Sequence, residues 1–475
     1  MREVEIDALP LQRFATLLAP ERLRALEEGA AAARTLLAGC TVWNLNATAQ
    51  GGGVAEMLQT LLAYGRGAGV DTRWLVLSGS SAFFTVTKRL HNLLHGAEGD
   101  GGPLGPAEQA LFGRVTADNL AAARGLVRAG DIVLAHDPQT AGLIAGLRAI
   151  GARVIWRCHI GRDDANPLTD RGWEFLRPHL EEAEAFIFSR ASYVPDWARG
   201  PRVSIIPPSI DPFSAKNQDL DADTAVAILT RAGVITGPAS PAVTFVRRDG
   251  ASGVCREHNH ILGEGVPPPV DARLVVQVSR WDRLKDMAGV LTGFVARLPD
   301  LPADVHLMLA GPEVAGVSDD PEGAEVLAEC QAIWRALPAP ARARVNLASL
   351  PMEDVDENAL LVNALQRHAY AVVQKSLVEG FGLTVTEAMW KGRPVIASGI
   401  GGIQDQIAHG QDGLLLADPT DLSAFGDALV RLVRDPALAA RLGAAARQRV
   451  QNEFLGDRHL IQYVRLFAAL LATRP

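Results

Sequence analysis

Short, nearly uninterrupted apolar runs alternate with helix-length segments along this chain, in two series separated by a break. The first series reads CTVWNLN (40–46), TRWLVLS (72–78), DIVLAHD (131–137), ARVIWRCHI (152–160), AFIFS (185–189) and RVSIIP (202–207). The second reads RLVVQVSR (273–280), VHLMLAG (305–311), RVNLASL (344–350), YAVVQKS (370–376), PVIAS (394–398) and GLLLA (413–417). A strand without alternating polar positions has to be covered on both faces, which helices on either side of a parallel sheet accomplish. Intervening segments such as VAEMLQTLLAYGRG and QTAGLIAGLRAIG have the helical period, and the second ends on a glycine cap. The pattern therefore predicts an α/β fold of two doubly wound, Rossmann-like domains facing a central cleft, with ligand at the carboxyl ends of the strands.

The expected organisation is a first domain over 1–213 with a helical N-terminal extension, a connecting insertion over 214–270, and a second domain over 271–455. A closing helix over 456–475 is expected to pack back on the first domain. The break contains ITGPASP, RRDGASG and GEGVPPP, which read as turns and loops around one short helix, DTAVAILTRAG. At 475 residues the chain has room for two or three packed domains.

Charge narrows the partners. A net charge of −8 argues against nucleic acid, whose phosphates need a basic footprint. The opening MREVEIDALP has mixed charge rather than the form of a leader, and no apolar run has membrane-spanning length, so the expectation is a cytoplasmic protein without membrane contact. Cys40, Cys158, Cys255 and Cys330 form no CxxC pair and read as reduced structural thiols.

The chemistry concentrates at strand ends. In EGFGLTVTE (379–387), Gly380 and Gly382 make a tight turn before a helix, aiming the N–H groups of Gly382, Leu383 and Thr384 at a ligand. Glu379 lies in the loop and Glu387 one turn into the helix, depths that suit different hydroxyls of one extended ligand. On their own, two capping carboxylates account for the pattern equally well. SRWDRLKD places Arg280 at a strand end and Lys285 five residues on, for which a solvated basic strand end is the commoner meaning. QGGGVAE (50–56), with Gly51 and Gly52, and SGIGGIQDQ (398–406), with Gly401 and Gly402, are glycine turns that let backbone approach a phosphate or sugar. None is GxGxxG, which disfavours a nicotinamide oxidoreductase. His159 ends one strand, and His136 and Asp137 close the one before it.

The paired glutamates of EGFGLTVTEAM, together with the arginine and lysine of SRWDRLKD, resemble the signature of retaining glycosyltransferases of the GT-B fold, family four. The resemblance implies that Glu379 contacts the transferred sugar, Glu387 the nucleotide ribose, Arg280 and Lys285 the donor diphosphate, and His159 a sugar hydroxyl. Cations fixed on the leaving diphosphate stabilise the transition state more than the ground state. Within that group, QGGGVAEML, FFTVTKRLHN, HDPQTAGLI, HIGRD, VSRWDRLKD and VNALQRHAYAVVQKSLVEGFGLTVTEAMWKGRPVI resemble the trehalose glycosyltransferring synthases over residues 44–454.

That narrower resemblance implies nucleoside-diphosphate glucose and glucose as substrates and α,α-trehalose as product. It also implies an acceptor role for the first domain and a donor role for the second. His91, Asn92, Asp137 and Arg162 are the acceptor-side candidates, and His136, beside Asp137, is a further ligand for acceptor hydroxyls; Lys88 and Arg89 leave glucose 6-phosphate open as the acceptor. The long irregular stretch 216–271 departs from the family pattern.

Rival readings are a transferase with a sucrose- or glycogen-type acceptor and a nucleotide-sugar-binding regulator without catalysis. His258 and His260 lack the second half of a metal site. Asp354 and Asp356 form a D-x-D but precede a helix, where acidic residues suit the dipole. No metal or cofactor is expected, Mg2+ being at most stimulatory; assembly as a homodimer stays open.

Overall fold

The computed structural model describes residues 1–49, 53–238, 242–247, 251–258, 260–314 and 321–472. Gly51 and Gly52 lie outside the described residues. The chain divides into two compact units: Met1–Ser209 with Phe454–Pro475, and Ile210–Glu453.

The first unit is built on a seven-stranded sheet. Its strands are β1 (Arg2–Val4), β2 (Val42–Asn46), β3 (Thr72–Val76), β4 (Ile132–His136), β5 (Arg153–Cys158), β6 (Ala185–Phe188) and β7 (Val203–Ile205). The order is β1-β3-β2-β4-β5-β6-β7, parallel except for β1, which pairs antiparallel with β3. Every residue of β2, β4 and β6 is buried, as unalternating apolar runs require.

The last helix, Gly456–Ala472, belongs to this unit. Arg22 grips Asp457 through two bonds of 2.5 and 2.8 Å, Arg458 donates to the carbonyls of Pro207 and Pro208, and Tyr463, Phe467 and Leu470 enter a core shared with β2, β4 and β5.

The second unit contains a hairpin of β8 (Thr244–Val246) and β9 (Ser252–Val254) and a second seven-stranded sheet. That sheet comprises β10 (Leu262–Glu264), β11 (Arg273–Val278), β12 (Val305–Pro312), β13 (Val345–Leu350), β14 (Ala371–Gln374), β15 (Val395–Ser398) and β16 (Leu414–Leu416), in the order β10-β13-β12-β11-β14-β15-β16. All are parallel apart from β10, antiparallel to β13.

Segment 214–270 is thus part of the second unit rather than a connector. It holds the helix Ala222–Arg231, the hairpin and an edge strand of the sheet. The strands β1 and β10 escape sequence reading because three-residue edge strands with mixed burial carry no apolar run.

Both sheets have a topological switch point, where chain progression reverses direction between neighbouring strands. It lies between β2 and β4 in the first sheet and between β11 and β14 in the second. In open α/β sheets, ligands bind beyond the carboxyl ends of the strands at such points.

Candidate active site

In the second unit, β11 and β14 lie side by side, so the loops that follow them meet. After β11, Asp282 accepts from the Leu284 N–H at 2.8 Å and shapes a short 3-10 turn ending at Lys285. The buried Gln277 donates to the Lys285 carbonyl at 2.7 Å. Asp286, left-handed at φ 50°, caps the helix Met287–Ala296 through the Gly289 N–H and ion-pairs with the fully buried Lys375 just after β14. Lys375 also donates to the Pro419 carbonyl at 2.7 Å. Lys285 is therefore anchored on either side.

Its ammonium reaches Glu379 Oε2 at 2.6 Å, and Ser376 Oγ donates to the same oxygen at 3.2 Å. The two side chains are 17% and 11% exposed, sheltered enough for the pair to feel less than bulk dielectric yet still open to a ligand. Arg280, 59% exposed, pairs with Asp282 at 3.1 Å.

Beyond Glu379 the chain turns through Gly382, φ 82°, and enters the helix Leu383–Trp390 with no side-chain cap on its first turn. A Cβ at Gly382 would press on Glu379 Cγ at 3.2 Å in addition to the left-handed strain. Thr384 Oγ1 is turned to Gln374 Oε1 at 3.0 Å, so what this residue can offer an anion is its backbone N–H.

Gly402 packs against this turn: its N–H donates to the Gly380 carbonyl at 3.0 Å, and a Cβ there would lie 2.8 Å from Phe381 Cα. Gln406 locks the two loops together by donating to the carbonyls of Phe381 and Gly402 and accepting from Thr386 Oγ1 at 2.6 Å. Gly401 has φ 50°. Glu387, nearly buried, has Lys216 Nζ 3.7 Å away. Beside it, Lys391 is wholly enclosed, donating to Asn217 Oδ1 at 3.0 Å and the Glu387 carbonyl at 3.2 Å. Burial pulls its amine down to about 7, against the opposing pull of Glu387.

The first unit carries a different kind of chemistry at its switch point. Asp137, the residue after β4, is left-handed at φ 62° and accepts the His159 N–H at 2.7 Å. Burial raises its carboxyl to about 7, opposed by that hydrogen bond and by Arg157. His136 Nδ1 lies 3.0 Å from His159 Nε2, and its Nε2 lies 3.0 Å from Asn44 Oδ1. Burial and the Arg157 charge hold both imidazoles well below the usual histidine range.

His136 is fully buried and both its ring nitrogens are engaged, by His159 and Asn44, which corrects its reading as a ligand for acceptor hydroxyls. His91 and His95 meet edge to face, His95 lies on the Gly161 carbonyl, and the Gly96 backbone accepts from Asn166 against Arg162. Asn92 packs on Gly99. His91, Asn92 and Arg162 are thus neighbours around one loop. Arg89 is buried and committed to Asp100, in bonds of 2.6 and 2.8 Å, and to the Pro103 carbonyl.

Two of the residues set aside from the sequence, His258 and Asp354, have structural partners. His258 and Arg256 bond the buried Glu357, at 3.1 and 2.6 Å. Asp354 caps Val355–His368 and pairs with Arg247, which holds its carboxyl at about 2. Sequence reasoning missed Ser376, Asp286, Lys375 and Gln406 in the second unit, and Asn44 in the first. Ser376 and Lys375 stood in a quoted strand and Gln406 in a quoted glycine turn, but nothing local distinguishes a polar residue that supports a site from one that solvates a strand end.

Chemically, the second unit can hold an anion against Lys285 and an open helix N-terminus while Glu379 takes a hydroxyl; the first unit offers largely uncharged hydrogen-bonding groups.

Residues 44–195 match the family described as "Trehalose synthase, N-terminal domain", and residues 355–449 match "Glycosyl transferases group 1". A trehalose synthase of Rubrobacter xylanophilus is 34% identical over 446 residues, covering 92% of each chain. One from Pyrococcus horikoshii is 32% identical over 471 residues, covering 99% of each. A trehalose phosphorylase of Pleurotus pulmonarius is 28% identical over 86% of this chain and 54% of its own length. Among solved structures, the α,α-trehalose 6-phosphate synthase of Burkholderia multivorans superposes with a TM-score of 0.65 at 16% identity, covering 91% of this chain and 99% of its own. Sucrose-phosphate synthase of Thermosynechococcus elongatus superposes at 0.63 and 18% identity, with the same coverage. The shared fold is GT-B.

Proposed function

Because this chain belongs to the trehalose synthase family, and is a trehalose-related glycosyltransferase, we propose that it transfers glucose from a nucleoside-diphosphate glucose to free glucose, reversibly and with retention, giving α,α-trehalose. The observation that carries this reading is the sheltered Lys285 ammonium, 2.6 Å from Glu379, whose loop leads into the uncapped start of the helix Leu383–Trp390. Breaking a glycosyl phosphate bond gathers negative charge on the leaving diphosphate, and a cation anchored before the reaction stabilises that charge without reorganising.

Lys285 and Arg280 hold the diphosphate, the first turn through Leu383 and Thr384 receives a phosphate oxygen, and Glu379 takes a sugar hydroxyl. Glu387 takes the ribose hydroxyls, with Gly401 and Gly402 lining the donor's path. Retention follows from attack on the face the diphosphate leaves, its oxygen accepting the acceptor's proton. This route assigns no step to a metal.

The acceptor is unphosphorylated. Of the two cations that left a sugar phosphate open, Arg89 is engaged by Asp100 while Lys88 is exposed, and the groups around Asp137 and His159 suit hydroxyls. Incubation of the full chain with UDP- or ADP-glucose and either glucose or glucose 6-phosphate, with and without chelator, followed by NMR of the products, tests all of this. A non-reducing α,α-1,1 disaccharide from glucose, formed in chelator, is expected. A strong preference for glucose 6-phosphate, or donor binding without any disaccharide, would overturn it.

A further inference from the structure

Across the carboxyl edge of the first sheet, three side chains from successive neighbouring strands form one line. Asn44 comes from β2, His136 ends β4, and His159 directly follows β5. Asn44 and His136 are 1% and 0% exposed, while His159 is partly accessible, so the line runs from the interior outward. The imidazole planes lie within 12° of parallel with 3.0 Å between facing nitrogens, the geometry of a ring-to-ring hydrogen bond.

A neutral imidazole has one donor and one acceptor, so each bond decides the next. The Asn44 carbonyl oxygen only accepts; His136 Nε2 must donate to it, which leaves His136 Nδ1 bare. That lone pair takes the Nε2 proton of His159, and His159 Nδ1 is left without one.

We propose that Asn44 and His136 are positioning residues that fix the tautomer of His159, so that its Nδ1 faces the substrate site as a hydrogen-bond acceptor selective for a sugar hydroxyl and unfavourable to a phosphate or carboxylate. Arg157 supports the arrangement: its charge, in the adjacent strand and bonded to His459 and Tyr463, opposes a second proton on either ring. Asp137 meets His159 through the backbone N–H, leaving the ring's tautomer to the Asn44 line. The role in catalysis rests on the transferase reading above; the tautomer itself does not.

The test uses the full chain labelled with 15N-histidine. Long-range 1H–15N correlation spectra are recorded for the parent, Asn44→Asp and Asn44→Leu, with His159 assigned by its loss in His159→Gln. His159 is expected as the Nε2–H tautomer in the parent. Asn44→Asp, which can still only accept, retains that tautomer and most of kcat. Asn44→Leu releases it to a mixture and lowers kcat by about tenfold, the lower end of the loss seen when the outer partner of a metal-bound imidazole is removed.

A purely structural role reverses the ranking, since a buried site tolerates leucine better than a new carboxylate. A proton on His159 Nδ1 in the parent overturns the proposal, and so does Asn44→Leu with parental spectra and kcat. If Asn44→Leu does not fold, the parental spectrum alone decides. Absence of glucosyl transfer with the expected tautomer would count against the function and leave the relay standing.

Discussion

The two units share an architecture but invest their switch points differently. In the second, Lys285, Glu379, Asp286, Lys375, Glu387 and Lys216 form charged pairs, and the pair of Lys285 and Glu379 is held with little exposure. In the first, Asn44, His136 and His159 make a line of uncharged bonds ending at a half-buried ring, with Asp137 pushed toward neutrality beside it. Charge is installed where a reaction would create charge, and neutral donors and acceptors where hydroxyls have to be told apart. Both patterns follow from one constraint: a sheltered charge is costly unless it is paired, and a neutral hydrogen bond fixes direction at lower cost.

That contrast predicts unequal losses. Lys285→Ala should lower kcat by about 10²–10³-fold, the range for removing one preorganised charge-stabilising group. Steady-state kinetics would show it, and a change confined to KM would mean that Lys285 binds without serving the transition state.

Next comes Gly402→Ala. Its methyl group would lie 2.8 Å from Phe381 Cα, so the turn that carries Gly382 must move. A loss of about 1–3 kcal/mol of stability is expected from overpacking, with a raised KM for the nucleotide sugar. Unchanged melting and KM would show that the two loops are not coupled.

Asp137→Asn keeps an oxygen for the His159 N–H but removes a titration. With the carboxyl at about 7, its ionised form accepts the His159 N–H more strongly than its neutral form does, so the parent's kcat/KM should rise as pH increases through neutrality, while the variant's stays flat. A rising limb that survives in Asp137→Asn would assign it elsewhere.

The last prediction concerns stability alone. Lys391 is lowered from 10.5 to about 7 by burial, so between those values the unfolded chain holds more of its proton than the folded one. Raising the pH across that window therefore stabilises the fold, whereas below about 7 the penalty of burying the charge is fully present. Melting temperatures of the parent relative to Lys391→Met should climb from pH 7 toward 10; a constant difference would show that the lysine does not titrate there.

How much of this was legible before the structure varies residue by residue. Glycine turns and strand ends marked Glu379, Glu387, Arg280 and Lys285 only as candidates, and their roles came from the resemblance to retaining glycosyltransferases. That Lys285 and Glu379 touch was not legible, because they are 94 residues apart and meet only through the adjacency of β11 and β14. Arg89 read as a possible phosphate ligand until Asp100, on the loop beyond its helix, was seen to occupy it. His136 read as a ligand for acceptor hydroxyls and is enclosed. The 214–270 segment read as a connector because its turns are local signals, while the pairing of β10 with β13 is not.

The sequence by itself determined what is encoded over a few residues: which runs are buried on both faces, where helices begin and stop, and where a positive φ is needed, as at Gly382. Apolar periodicity and backbone sterics act at that range and require no knowledge of neighbours. Only the tertiary structure decided strand order, the partner of each charge and the direction of the hydrogen bonds from Asn44 to His159. Those depend on packing between segments distant in the chain, where the cost of an unpaired buried group selects one arrangement among many that the local pattern allows.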